Sequence, residues 1–182
     1  YGEITGILRR NKYMKRSVRE KFLNPAVMLL FGLLLGAASR LFDLYTALLG
    51  DIFSQMAIWI LLGTLIAVYS PTKKRAMLNI LPFCLGMLVT YYAVAILTKG
   101  VYGRAYIIGW TVFALFSPLL AYLTWMTKQP GVWPKLIAAG VLGVSLYSSL
   151  FLFGGFHLYD AVINLLLAYI LFFQKIDRTS SK

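Results

Sequence analysis

The stretch GAASRLFDLYTALLGDIF, Gly36 to Phe53, sets Arg40, Asp43 and Asp51 between two long apolar runs. It reads either as a charged loop between two membrane spans or as a polar site held inside a bilayer. Distance along the chain favours the first reading. Counted from Phe22 at about 1.5 Å per helical residue, Ser39 lies about 27 Å along, close to the far face of an apolar layer about 30 Å thick. Arg40 then snorkels to headgroups, with Asp43 one turn on and placed to pair with it. The expectation is a span that ends at the interface, followed by a short amphipathic loop.

Composition supports lipid as the solvent. Of the 182 residues, 60% are hydrophobic and only 13% charged, against roughly 25% charged in soluble folds. Six segments have nearly or fully the length and apolarity of a span: 22–39, 52–69, 76–98, 105–127, 136–153 and 159–173. Their connections, SPTKKR, KGVYGR, KQPGVWPK and GGFHLY, carry turn chemistry. Backbone groups in hydrocarbon must be satisfied within their own segment, which predicts helices; the ten-residue alternation of a barrel strand is not seen. The expected fold class is therefore an all-α, polytopic membrane bundle of six transmembrane helices. Residues 1–21 form a basic N-terminal segment, 22–174 the membrane domain and 175–182 a short tail.

The placement of charge orients this bundle. With a cytoplasmic N-terminus and six spans, fifteen of the eighteen basic residues fall inside. They are Arg9, Arg10, Lys12, Lys15, Arg16, Arg19, Lys21, Lys73, Lys74, Arg75, Lys128, Lys135, Lys175, Arg178 and Lys182. Only Arg40, Lys99 and Arg104 fall outside, while the six acids divide equally. The positive-inside rule then predicts both termini in the cytoplasm. The net charge of +12 thus points to anionic lipid at the inner face and not to nucleic acid. Trp125 and Trp133 flank the inner turn, and Trp59 and Trp110 lie nearer the outer side, as belt anchors do.

Ile4, Ile7, Met14, Val18 and Phe22 share one narrow face of a helix drawn at about 100° per residue. That segment is read either as a helix lying on the membrane surface or as a basic flank that only sets topology. The chain begins at Tyr1, whereas MKRSVREKFLNPAVMLL from Met14 makes a natural start, so the residues before Met14 are expected to be an extension. No cleavable signal is expected, because the first apolar run continues into a full span.

Candidate site residues come from the polar inventory. A polar lip over an outward-facing cavity would combine Arg40 and Asp43 with Asp51, His157 and Asp160. The competing reading is ordinary charge at span ends. No central span position is ionisable, which argues against proton-coupled transport and voltage sensing. A cavity for a neutral or amphiphilic ligand would draw on Gln55, Thr64, Asn79, Thr90, Ser117, Ser145 and Asn164, with aromatic walls such as Tyr91 and Tyr92. The alternative for these groups is interhelical hydrogen bonding.

Gly32 and Gly36 form a GxxxG pair, and Ala139 and Gly143 repeat the spacing; both predict close helix packing, within the chain or in a homo- or hetero-oligomer. Pro82 and Pro118 free carbonyls inside spans. Ser145, Ser148 or Ser149 with His157 is the nearest approach to a nucleophile and base, but GVSLY lacks the second glycine of a G-x-S-G turn. With one cysteine, Cys84, and one histidine, neither a disulfide nor a metal cluster is expected. No enzyme activity and no cofactor are predicted. The leading expectation is a non-catalytic membrane subunit or interaction protein; the alternative is a small-molecule binding or transport component.

At IFSQMAIWILLGTLIAVYS, KKRAMLNILPFCLGMLVTYY and IIGWTVFALFSPLLAYLTWMTK the chain resembles a family of small six-span membrane proteins of Gram-positive bacteria, from about Lys21 to the end. That family carries no assigned activity, so the resemblance implies location and topology and transfers no site residue. In size and span count the chain is also similar to the substrate-binding subunits of vitamin transporters, without their characteristic motifs.

Overall fold

Asn24 starts the first helix: its side chain accepts a hydrogen bond from the Val27 amide at 3.0 Å, and Pro25 occupies the first turn, where its missing N–H costs nothing. The computed structural model describes residues 22–100, 103–152 and 155–176, and this stretch of the chain is helical with no strand among the described residues. The basic segment 1–21 and the end of the tail lie outside them.

Among the described residues seven helices follow in order: α1 Pro25–Tyr45, α2 Ala47–Ser54, α3 Met56–Tyr69, α4 Lys73–Leu97, α5 Arg104–Met126, α6 Val132–Tyr147 and α7 Leu158–Ala168. A π-helical turn, Ser148–Leu152, prolongs α6, and another, Tyr169–Phe173, prolongs α7. Helices α1, α4, α5 and the prolonged α6 are each long and apolar enough to cross a membrane. The bent pair α2–α3, with 65° between its halves, supplies a fifth such element, and Leu158–Phe173 is a shorter apolar helix.

The opening stretch corrects one expectation. Arg40 and Asp43 do not start a loop, because α1 runs on to Tyr45. Arg40 Nη1 donates to Asp43 Oδ2 at 3.0 Å, and that i,i+3 pair keeps the charge within the helical geometry. The chain then turns in one residue, Thr46, whose amide and hydroxyl both donate to the Phe42 carbonyl. Helix α2 folds back so closely that a Cβ on Gly50 would stand 3.0 Å from Asp43 Cα. Phe42, Phe53 and Trp59 pack the inside of this corner, and the Trp59 indole donates to the Phe53 carbonyl at 2.9 Å.

Helix α3 is the centre of the molecule and is buried on nearly every side. Trp59, Ile66 and Ala67 join Met28 of α1, Phe83, Cys84 and Met87 of α4 and Ala114 and Ala121 of α5 in one core. Ala57, Leu61 and Val68 join Ala138 of α6 and Ile163 and Leu167 of α7 in a second. A helix wedged between two cores has no polar stripe to show, which explains its uniform apolarity.

The most intimate pair is α1 against α4. A Cβ on Gly32 would collide with the Phe83 carbonyl, and one on Gly36 with the Met87 carbonyl, so the two backbones touch. Gly86 returns the favour, with Leu29 O 2.9 Å from where its Cβ would be. Thr90 closes this seam by donating to the Leu33 carbonyl at 2.7 Å.

The ends are tied by side chains. At one end Asn79, Ser70 and Trp125 link α1, α3, α4 and α5. At that end too, Lys128 donates to the carbonyls of Ile170, Leu171 and Gln174, the last turn of the final helix, where a cation suits the dipole. Lys73, Lys74 and Arg75 start α4 at this same end, whereas Lys99 and Arg104 stand at the opposite one, where α4 stops and α5 starts.

Candidate functional site

Apart from Asn79, at the basic end, most of the polar residues picked out of the sequence separate into three places. The first is the far end of α1 and α4. There Tyr91 donates its hydroxyl to Asp43 at 2.8 Å, and the Arg40 guanidinium sits 6.0 Å from the centre of the Tyr91 ring. Arg40 also lies against Gly100, beyond the last carbonyls of α4, so that helix end adds negative potential. Arg40, Asp43 and Tyr91 thus engage one another, with only Arg40 Nε left without a hydrogen-bond partner. Removing the hydroxyl with Tyr91→Phe is expected to cost only about 0.5–1 kcal/mol in reversible SDS unfolding, because Asp43 stays exposed and keeps Arg40.

The second place is the start of α3 and α7. Gln55 donates through Nε2 to the Tyr159 hydroxyl at 3.1 Å. Asp160, fully buried, accepts the His157 amide at 2.9 Å and so caps α7. The single lip expected from Arg40, Asp43, Asp51, His157 and Asp160 is therefore divided, with Arg40 and Asp43 on α1–α4 and His157 and Asp160 on α7. His157 stacks on Tyr159, with ring centroids 5.0 Å apart, while Ser148 donates to the Ser145 carbonyl. Ser148 and the histidine are thus engaged separately, while the Ser145 and Ser149 hydroxyls have no partner.

The third place is a cavity of about 340 Å³ bounded by α3, α4, α5 and α6. Its walls are apolar: Trp59 and Ile60 from α3, Ile80, Phe83 and Met87 from α4, Phe113 and Leu120 from α5, Ile137 and Val141 from α6. Three hydroxyls and a thiol interrupt them, from Thr64, Ser117, Thr124 and Cys84. Small residues make the space. A Cβ on Gly140 would meet nothing within 4 Å, and one on Gly63 would only touch the Ile80 side chain at 3.5 Å. The mouth opens sideways between α5 and α6, where Leu120 and Val144 are 41% and 56% exposed.

Of Gln55, Thr90, Tyr91 and Ser117, only Ser117 lines this cavity. Its hydroxyl donates to Ala114 O at 2.7 Å, the carbonyl that Pro118 leaves without its usual i+4 amide. Proline and serine work as a unit here, bending the ladder while leaving no bare acceptor. Gly63 and Gly140, which matter most for the volume, are absent from the sequence reading. Gly140 has no small residue four positions away and Gly63 has only Ala67, so the main signal of both is the cost of glycine inside a helix. Gly32 and Gly36 are spent within the chain, whereas Ala139 and Gly143 face outward on α6.

A further hollow of about 380 Å³ lies at the basic end, between the α5–α6 turn and the end of the last helix, beside Lys128, Lys135 and Lys175.

Comparison of the chain with protein-family models, curated proteins and solved structures gives no match. The fold alone defines a class: an all-α protein with several helices compatible with a membrane, built round a bent and buried central helix.

Proposed function

We propose that this chain is a non-catalytic, six-span protein of the bacterial cytoplasmic membrane whose α3–α6 cavity holds a neutral, apolar or amphiphilic small molecule taken from the bilayer. The single observation that carries the reading is the cavity's construction. It has the size and the mostly apolar lining of a small-molecule site, with a few polar groups that fix orientation. Its mouth faces sideways between two helices, so an apolar ligand would enter from hydrocarbon without crossing water. The six-span topology rests on the distribution of lysine and arginine, with α2–α3 as one bent span and Leu158–Phe173 as a short one. The basic end then meets anionic headgroups, each lysine or arginine contributing about 1 kcal/mol near the surface.

The test fills the space. Gly140→Trp places an indole where no atom stands within 4 Å. Protein extracted in mild detergent is analysed by native mass spectrometry and by solvent extraction of the purified sample. The parent is expected to retain a defined apolar molecule at near-stoichiometric level, and Gly140→Trp to lose at least about tenfold, with unchanged monodispersity. Equal, bulk-like lipid in both samples would defeat the reading.

A second reading has its own observation. Ala139 and Gly143 leave a bare strip on α6, suited to a helix of another subunit. If the chain is such a subunit, a stoichiometric protein partner co-purifies with the parent and is lost from Gly143→Ile.

A further inference from the structure

Among the described residues seven buried side-chain polar atoms have no hydrogen-bond partner, and five of them lie at the start of α3, on α6 with its π turn, and on α7. These five are Gln55 Oε1, Ser145 Oγ, Ser149 Oγ, Asp160 Oδ1 and Asn164 Oδ1. Their residues are 3%, 0%, 0%, 0% and 5% exposed. Buried polar groups are almost always paired, so five orphans on three touching elements call for a shared explanation.

The elements do meet. Helix α3 packs on α7, on α6 and on the π turn, and α6 packs on α7. The Gln55–Tyr159 hydrogen bond joins α3 to α7 at this level. Ser145 and Ser149 are one turn apart near the end of α6, and Asp160 and Asn164 one turn apart near the start of α7.

The chemistry of the orphans is one-sided. The Gln55 amide nitrogen donates to Tyr159, and that of Asn164 to the Asp160 carbonyl at 2.8 Å, so in each the atom with no partner is the oxygen. Asp160 uses Oδ2 on the His157 amide and keeps Oδ1 bare. Every unmet atom is an oxygen. The charge is also unmet: among the described residues no lysine or arginine pairs with Asp160, and the only cationic candidate is His157 Nδ1 at 3.5 Å, on a half-exposed ring. Asp51, near Tyr159, adds further negative charge. An uncompensated carboxylate out of water is expensive, and a chain that keeps one normally gains something from it.

Backbone geometry points the same way. Gln55 is extended between α2 and α3, and Ser148–Leu152 is π-helical, so two helices leave the regular ladder beside these oxygens. Interrupted helices supply the spare carbonyls that bind cations within membrane proteins.

We propose that Gln55, Ser145, Ser149, Asp160 and Asn164 form a buried site for a monovalent alkali-metal cation. One carboxylate with four neutral oxygens balances a single positive charge. Sites for divalent ions ordinarily gather more carboxylates, and soft metals need nitrogen or sulfur. Among the described residues no group of three such ligands exists.

The experiment uses the full chain in detergent with choline chloride holding ionic strength constant. Thermal unfolding is followed while choline is replaced by NaCl, by KCl or by a low concentration of CaCl2. The proposal expects a saturable rise of about 5 °C or more with Na+ or K+, one of them preferred. Asp160→Asn keeps an acceptor for the His157 amide and is expected to abolish that rise. Asn164→Leu keeps the carboxylate and is expected to weaken the cation's half-saturation at least about tenfold. Identical unfolding of the parent in choline, Na+ and K+ overturns the site. A response to Ca2+ alone overturns its monovalent character. The parent's own titration decides the matter even where a variant fails to fold.

Discussion

Gly36→Leu is expected to yield no monodisperse protein after extraction in mild detergent, whereas Gly143→Leu yields as much as the parent. Both glycines occupy small-residue motifs at helical spacing, and the sequence does not rank them. The structure does. At Gly36 the first added carbon would collide with the Met87 carbonyl and with the Thr90 hydroxyl. At Gly143 it would meet nothing within 4 Å. Ordinary overpacking costs about 1–3 kcal/mol because side chains move aside. Here the obstacle is the backbone of α4, itself held by Thr90 to Leu33, so the cost exceeds about 3 kcal/mol. That is a large part of the 5–15 kcal/mol by which folded proteins are usually stable. Gly32→Leu is expected to fail in the same way against Phe83. Fluorescence-detected size exclusion of tagged variants gives the comparison, and a well-behaved Gly36→Leu monomer would mean that α1 and α4 are not in backbone contact.

That contrast shows what can be read from the chain and what cannot. Apolar runs and turn chemistry are local properties, so the helical class and the candidate spans are legible in them. The order of charge along the chain is likewise legible, and Lys73–Arg75 and Lys128 do gather at one end. The end of α1 is not. Arg40 looks like a terminus because its partners are Asp43, three residues on, and Tyr91, on another helix. Asp160 was misplaced for a related reason. At a helix start it resembles an interfacial charge, yet α3 covers that start and buries it completely. The cavity was the least legible of all. Hydroxyls and amides attract attention in a sequence, but Thr90 and Tyr91 are consumed by partners, Gln55 lies outside the cavity, and the volume comes from Gly63 and Gly140, residues that contribute nothing but absence.

The knot round Asn79 predicts the other large effect. Asn79 is fully buried two turns into α4, about 9 Å from Lys73 along the axis. Its amide donates to the Leu23 carbonyl and to Ser70 Oγ, each at 3.1 Å. Ser70 in turn donates to Ile66 O at 2.7 Å, and its carbonyl accepts from the Trp125 indole at 3.1 Å. One amide therefore fixes the entry to α1 and the exit from α3 against α4, with α5 attached through tryptophan. Asn79→Leu has similar volume but strands the Leu23 carbonyl without a donor, at an expected cost of about 2 kcal/mol in SDS unfolding. Asn79→Asp is expected to be worse although it is the closer mimic in shape. It loses both donated bonds and, if ionised, adds about 2.5–3.5 kcal/mol for a charge within the span. If the Nδ2 donors are what Asn79 contributes, the order of stability is parent, then Leu, then Asp. If instead the side chain merely fills space, Asp equals or exceeds Leu, and the linkage of α1, α3 and α5 through this residue fails with it.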